Sequence, residues 1–215
     1  MRLVQTVVLA AVIAAPGMLA QRWEVGAGAG GGFYTSQDIN SPNGTASAKI
    51  ETNIAGSAWV TNNGHNKWGG ELRYDYGRGD YQLSQGSTKA SFAGETHGIH
   101  YDVLRYFAPS ESPVRPFVAV GGGIKVYRGT GTEVVFQPLS KIALLTKEQD
   151  LVAMVSVGGG IKFRLSPHVT LRAEVHDYLS PFPKKVVTPN VGAKVGGWGW
   201  LQDIVPMIGI SYASN

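Results

Sequence analysis

The sequence predicts an all-β chain that folds as one eight-stranded antiparallel up-and-down transmembrane β-barrel. Three observations support this fold class. Apolar residues alternate with polar or small residues along eight segments, which is the pattern of strands with two different faces. Short and long connections alternate between the segments, as in barrels that have tight turns at one end. Glycine is abundant, with 29 of 215 residues, and cysteine is absent. A chain without disulfides must be held by packing and strand pairing, and a closed barrel pairs every strand on both sides.

The first twenty residues are predicted to be an export signal that is absent from the mature protein. Arg2 supplies a positive charge, an apolar stretch follows, and Pro16 and Gly17 interrupt it before a small-residue end at Ala20. The apolar stretch is shorter than the ~20 residues that a transmembrane helix needs. We therefore expect a signal peptide at 1–20 and a barrel domain at 21–215, located in a bacterial outer membrane.

The eight predicted strands are each long enough to cross a bilayer at a tilt, which takes about 9–11 residues. In the clearest of them Val155, Val157 and Ile161 share one face, while Lys162 and Arg164 share the other. The motif V-x-V-G-G-G-I-K occurs at 118–125 and again at 155–162. The repeat suggests two neighbouring strands whose residues pack in the same way. The predicted strands are 23–36, 46–62, 67–84, 92–109, 118–127, 151–165, 169–183 and 203–214.

The connections predict which end of the barrel faces which compartment. Short connections are expected at 63–66, 110–113 and 166–168, and long ones at 37–45, 85–91, 129–150 and 184–202. Outer-membrane barrels place short turns in the periplasm and long loops outside the cell. With an even number of strands, both chain termini are expected at the periplasmic end.

Ionisable residues on the polar strand faces are predicted to form an ion network inside the barrel. Eight strands leave an interior just wide enough for side chains, where an isolated charge is costly. The six anions and six cations balance, so we expect a filled interior and no open pore. The predicted members are Glu24, Lys49, Glu51, Glu71, Arg73, Asp75, Asp102, Lys125, Lys162, Arg164, Arg172 and Glu174.

Aromatic residues near the strand ends are predicted to form two girdles at the headgroup levels, which amphipathic rings favour. The girdle near the short turns would contain Trp23, Phe107, Phe117, Phe163 and Tyr212. The girdle near the long loops would contain Phe33, Tyr76, Tyr81, Tyr127 and Tyr178.

Three stretches resemble strands of the small OmpA/OmpX-like outer-membrane β-barrel family. They are RPFVAVGGGIK at 115–125, HVTLRAEVHDY at 168–178 and IVPMIGISY at 204–212. The resemblance implies the barrel fold, an outer-membrane location and insertion by the barrel-assembly machinery. The chain departs from the family in its last residues, which are Tyr212, Ala213, Ser214 and Asn215, where such barrels usually end in an aromatic residue.

Composition and motifs argue against several other functions. The formal charge of +4 is spread along the chain, so we expect no nucleic-acid partner. The glycines at 26–31 match G-x-G-x-x-G, but no helix follows them as a dinucleotide site requires. His100 and His176 are expected to form hydrogen bonds inside the barrel. We therefore predict no catalytic residue, no cofactor and no metal.

The long loops carry cations that are candidate contacts for lipopolysaccharide phosphates: Arg128, Lys184, Lys185 and Lys194. Ordinary solvated loops are the plain alternative. Outer-membrane lipid is the expected partner, and the expected state is a monomer. Three functions stay open at this point: a structural or surface-interaction barrel, a narrow ion or small-solute channel, and a soluble exported binder with a lipocalin-like cup.

Overall fold

The computed structural model describes residues 22–51, 53–64 and 67–213. The predicted signal peptide lies outside the described residues. Within them, no helix is long and apolar enough to cross a membrane. The strands in chain order are β1 (Arg22–Tyr34), β2 (Gln37–Ser41), β3 (Gly44–Ile50), β4 (Asn53–Asn63), β5 (Trp68–Gln85), β6 (Thr88–Tyr106), β7 (Val114–Gly129), β8 (Ala143–Leu145), β9 (Gln149–Arg164), β10 (Val169–Pro181), β11 (Val187–Pro189), β12 (Lys194–Val195) and β13 (Trp200–Ala213).

A ring of 8 antiparallel strands forms the body of the molecule. Its order is β1, β4, β5, β6, β7, β9, β10 and β13, and β13 pairs with β1 to close the ring. Closure leaves every one of these strands with a partner on both sides over most of its length, which removes the open edges of a flat sheet. The predicted fold class, an eight-stranded up-and-down antiparallel barrel, is confirmed.

The outward faces of the ring form an apolar band that we call the lipid belt. Its side chains are exposed although they are large and apolar, for example Val157 at 45% and Ile208 at 64%. Water-soluble monomers rarely expose an apolar surface of this extent, whereas the wall of a barrel in lipid typically does. The belt consists of Leu72, Ile99, Tyr101, Val103, Val118, Val120, Ile124, Val155, Val157, Ile161, Val175, Ile208 and Ile210.

The segment 46–62, predicted as one strand, is two strands whose register on β5 differs by one residue. Ile50 pairs with Tyr81, whereas Ile54 pairs with Arg78, so four residue steps from β3 to β4 correspond to three steps along β5. A shift of one residue exchanges the two faces of a strand. Even-numbered residues such as Ala48 therefore point inward in β3, and odd-numbered residues such as Trp59 point inward in β4.

The prediction of long loops at 37–45 and 85–91 is wrong, because strands continue through both segments. β5 and β6 form one long hairpin that pairs to Gln85 and Thr88. Gly86, with φ of +57°, adopts the left-handed conformation that the tight turn requires. The segment 37–45 is a second hairpin, made by β2 and β3. Strands β12, β2, β3, β5 and β6 lie side by side and extend the barrel beyond the lipid belt.

A hydrophobic cluster, which we call the cap, fills the barrel at the long-loop end. Inward side chains of the extended strands pack there against residues of the two longest connections, which contain the short strands β8, β11 and β12. The cap consists of Ile39, Ala46, Ala48, Ile50, Tyr81, Leu83, Ala90, Phe92, Tyr127, Leu139, Ile142, Ala143, Leu145, Phe182, Val186, Val187 and Leu201.

The predicted aromatic girdles are correct only in part. Phe107 and Tyr212 are exposed near the short turns, and Phe33 is exposed near the long loops. Four members of the predicted girdles are instead buried inside the barrel, because their positions fall on the inward face of the alternation: Tyr81, Phe117, Tyr127 and Tyr178.

Candidate functional site: the ion network of the barrel interior

Charged side chains from seven strands of the ring meet inside the barrel, between the short turns and the cap. The strand alternation directs them there, because it turns every second residue of each strand toward the interior. They lie in four layers along the barrel. We number these layers from the short-turn end.

Layer one is an ion pair between Glu24 on β1 and Lys162 on β9. The Lys162 Nζ lies 2.8 Å from the Glu24 Oε2. Ser211 Oγ donates to Glu24 Oε1 over 2.6 Å, and Asn63 Nδ2 donates to Oε2 over 2.9 Å. Every oxygen of this buried carboxylate thus has a donor, which offsets the loss of its hydration.

Layer two is a closed ring of alternating charges. Arg73 Nη2 lies 2.9 Å from Glu71 Oε1 and 2.7 Å from Glu174 Oε1. Arg172 lies 2.5 Å from each of the same two carboxylates. The indole ring of Trp59 is 4.9 Å from the Arg73 guanidinium carbon and 5.0 Å from that of Arg172. Each charge therefore has two opposite charges around it, with an aromatic face beside both cations.

Layer three joins histidines to carboxylates. His100 lies between two of them, with Nδ1 3.0 Å from Asp102 Oδ1 and Nε2 2.8 Å from Asp75 Oδ2. His176 Nε2 lies 3.3 Å from Glu174 Oε2, which links this layer to layer two. A histidine whose two nitrogens both face carboxylate oxygens has the geometry of a ring that donates twice. The histidines thus belong to the network, as the sequence predicts for lumen hydrogen bonds.

Layer four places Lys125 against Asp203, with 2.7 Å between Nζ and Oδ2. The ammonium group lies 4.9 Å from the ring centre of Tyr34, 5.2 Å from that of Tyr127 and 5.6 Å from that of Tyr178. Three aromatic faces around one cation stabilise it where water is excluded. The cap begins directly beyond this layer, since Tyr127 is a member of both.

Glycines make room for the network, and they explain the repeated motif. Each copy of V-x-V-G-G-G-I-K has two inward glycines that lie against a histidine and an acid on the neighbouring strand. A Cβ added to Gly158 would lie 2.6 Å from His176 Nδ1, and one added to Gly160 would lie 2.7 Å from Glu174 Cβ. In the other copy, Gly121 meets Asp102 and Gly123 meets His100.

The structure places most of the predicted network residues in these layers, but three predictions need correction. Lys49 is exposed, because the register shift after β3 turns it outward. Glu51 is half-buried at that shift and accepts a hydrogen bond of 2.9 Å from Gln82, away from the layers. Arg164 is exposed, because β9 ends there and the side chain donates to the carbonyl oxygens of the connection at 110–111.

The prediction missed some of the buried charges, among them Asp203 and Arg115. Asp203 was placed at the very start of the last predicted strand, although its odd position shares the inward face with Val205 and Met207. Arg115 precedes the predicted start at 118, whereas β7 begins at Val114. In both cases the alternation, extended by a few residues, was the signal that would have found them.

Two cavities show how far the interior is filled. A cavity of about 220 Å³ at the short-turn end is bounded by Glu24 and Lys162, so it ends at layer one. A cavity of about 20 Å³, the size of a single water, lies between layers three and four. Tyr178 and Asp203, which line the small cavity, each have a buried oxygen without a hydrogen-bond partner among the described residues.

The predicted lipopolysaccharide contacts lie on three separate elements. Arg128 is on the outward wall at the end of β7, where it pairs with Glu95. Lys184 and Lys185 lie between β10 and β11, and Lys194 is on β12. Contact of these cations with lipopolysaccharide stays a prediction of the sequence.

A family model matches the chain in sequence, and solved structures resemble it in fold. A model of the outer membrane protein beta-barrel domain matches residues 6–184. The structure of Neisserial surface protein A aligns with a TM-score of 0.56 at 13% identity, over 88% of this chain and 96% of that one. OprG from Pseudomonas aeruginosa aligns with a TM-score of 0.60 at 14% identity, over 91% and 96%.

No curated protein matches the chain in sequence. At identities this low, the two solved structures establish a common fold only. The family match covers most of the chain and confirms the resemblance to small outer-membrane barrels. The chain belongs to the outer membrane protein beta-barrel domain family.

Proposed function

We propose that this protein is a sealed outer-membrane barrel that holds a rigid surface outside the cell and conducts no solute. The observation that carries this proposal is the filling of the interior: four layers of paired charges, and then an apolar cap. The role is structural or surface-interacting, without catalysis. Folding by the barrel-assembly machinery and the monomeric state stay predictions of the sequence.

The energetics of layer two favour a closed interior over a narrow channel. Any path for an ion must separate Arg73 and Arg172 from Glu71 and Glu174, whose side chains are at most 1% exposed. Breaking one buried pair by removing a partner costs about 3–5 kcal/mol. Four such contacts in one layer make a spontaneous opening rare.

The two faces of the wall argue against a soluble lipocalin-like binder. Such a protein encloses an apolar ligand with apolar side chains and presents polar ones to water. Here Val157 and Ile208 are exposed, while Glu71 and Arg172 are buried. The apolar and charged faces are therefore the reverse of what a soluble cup requires.

Conductance across planar lipid bilayers tests the proposal. The wild-type protein, inserted in a form whose gel migration changes on boiling, is expected to leave the bilayer electrically silent. A porin reconstituted in the same bilayers is the positive control for detection. Reproducible conductance steps from the folded wild-type protein would contradict the sealed interior and favour the channel.

A further inference from the structure

A cluster of polar side chains lies on the outward wall of β5, β6 and β7, at the long-loop edge of the lipid belt. Arg78 pairs in register with Glu95, and Glu95 pairs with Arg128, so the three lie in one row across the strands. His97 lies in the next row toward the belt, and Tyr74 in the row after it. We call these five residues the wall cluster.

Within the wall cluster, Arg128 forms an ion pair, whereas Arg78 has no polar partner among the described residues. Arg128 Nη1 lies 3.2 Å from Glu95 Oε1, with 55% of the Arg128 side chain exposed. His97 lies 3.5 Å from the same carboxylate oxygen, and its Nδ1 is 2.7 Å from the Tyr74 hydroxyl. Arg78 is exposed, and no hydrogen bond or ion pair engages it within the described residues.

The height of the wall cluster on the barrel corresponds to a headgroup level. At the opposite end of the belt, the Arg105 guanidinium carbon lies 4.8 Å from the Trp68 ring centre, an arrangement typical of a membrane interface. Ten residue steps of β5 separate Trp68 from Arg78. At ~3.3 Å per residue and a tilt near 40°, they span about 25 Å, the height of the apolar band of such barrels.

We propose that Arg78 and Arg128 bind the phosphate group of an anionic lipid in the outer leaflet, whose acyl chains lie along Tyr74, Ile99 and Ile124. The three apolar or aromatic side chains are 41–50% exposed and continue the belt directly below the arginines. The site thus offers cations at the headgroup level and an apolar surface beneath them, which together match a lipid.

The spacing of the two arginines favours one shared phosphate. Their strands are separated by one strand, so their backbones are about 10 Å apart, and both side chains can reach a group placed over Glu95. Arginine forms strong charge-assisted bonds with phosphate oxygens. Glu95 holds Arg128 in place at the cost of some repulsion toward the anion.

Native mass spectrometry of the barrel released from detergent tests this site. The probes are lipid A with its phosphates, the dephosphorylated form of the same lipid, and inorganic phosphate. Wild-type barrel is expected to retain the phosphorylated lipid preferentially. The variant Arg78→Ala/Arg128→Ala is expected to bind it about a hundredfold more weakly, because it loses one charged hydrogen bond from each arginine, at about tenfold each.

Two further variants sharpen the test. Lys89→Ala removes an exposed cation from β6 well above the headgroup level and is expected to leave retention unchanged. Glu95→Gln removes the repelling charge and is expected to strengthen retention. Boiling-dependent gel migration checks that each variant is folded.

Three results would overturn the site. The first is equal retention of lipid A by the wild type and the double-arginine variant. The second is equal retention of the phosphorylated and dephosphorylated lipids by the wild type. The third is capture of inorganic phosphate as strongly as of the lipid, which would indicate a free-ion site. Weaker retention by Glu95→Gln would contradict the placement of the phosphate over Glu95. None of these results depends on whether the interior conducts ions.

Discussion

Arg172 and Glu71 lie 101 residues apart in the sequence and form an ion pair of 2.5 Å between Nη1 and Oε2. Their strands, β10 and β5, occupy opposite positions in the ring of eight. The pair therefore connects the two sides of the wall through the interior. An eight-stranded barrel is narrow enough for such a bond, because its interior has room only for side chains.

Replacing Arg172 with alanine is predicted to destabilise the barrel by about 3–5 kcal/mol, because it leaves two buried carboxylates short of a partner. The matched control is Lys185→Ala. Lys185 is 67% exposed and 3.8 Å from Asp150, so its removal is expected to change stability by less than about 1 kcal/mol. Urea unfolding of both variants in lipid vesicles gives the comparison. Equal unfolding midpoints would contradict the interior placement of Arg172.

Replacing Gly123 with alanine is predicted to destabilise the barrel by about 1–3 kcal/mol or prevent its folding. The new Cβ would overlap the carbonyl oxygen of Ile99, which is backbone and cannot swing away. Gly98→Ala is the control on the neighbouring strand, because its Cβ would meet the flexible end of Met154 at 3.5 Å and two Asp75 side-chain atoms at 3.7 Å, which are ordinary contact distances. The fraction that folds into vesicles measures both. A well-folded Gly123→Ala barrel would contradict the role of the inward glycines in making room for the network.

The alternation of apolar and polar residues was sufficient to predict the ring and most of its charged interior. Along β9 and β10 the period of two continues without interruption, so Lys162, Arg172 and Glu174 could be assigned to the inward face from the sequence. The assignment failed where the period is broken. Lys49 lies in β3, just before the register on β5 shifts by one residue. The small and polar residues around it give no sign of this shift in the sequence pattern.

Replacing Leu145 with alanine is predicted to loosen the cap, because this side chain is 1% exposed among other apolar residues. Loss of a buried leucine costs about 2–5 kcal/mol locally. Its neighbour Leu144 is 39% exposed, so Leu144→Ala is expected to have little effect. Amide hydrogen exchange across 139–145 and 182–187 reports the difference. Similar exchange in the two variants would show that the cap is not held by this packing.

The cap could not be predicted from the sequence, for a physical reason. Many of its residues come from hairpins, from connections and from strands of three residues, such as β8 and β11, which are too short to show any period. They are buried by contacts between distant segments, as when Leu139 packs in one cluster with Ile39 and Phe182. The same holds for the wall cluster, in which Arg78 becomes notable only through its register with Glu95.

The barrel wall faces lipid on its outer side and paired charges on its inner side. Spin labels at single cysteines test the lipid-facing side directly, because the chain has no cysteine of its own. A label at Val157→Cys is predicted to collide with oxygen dissolved in lipid and to be shielded from a water-soluble nickel complex. A label at Lys89→Cys, above the membrane, is predicted to show the opposite. A Val157 label that collides freely with the nickel complex would contradict the membrane-facing wall.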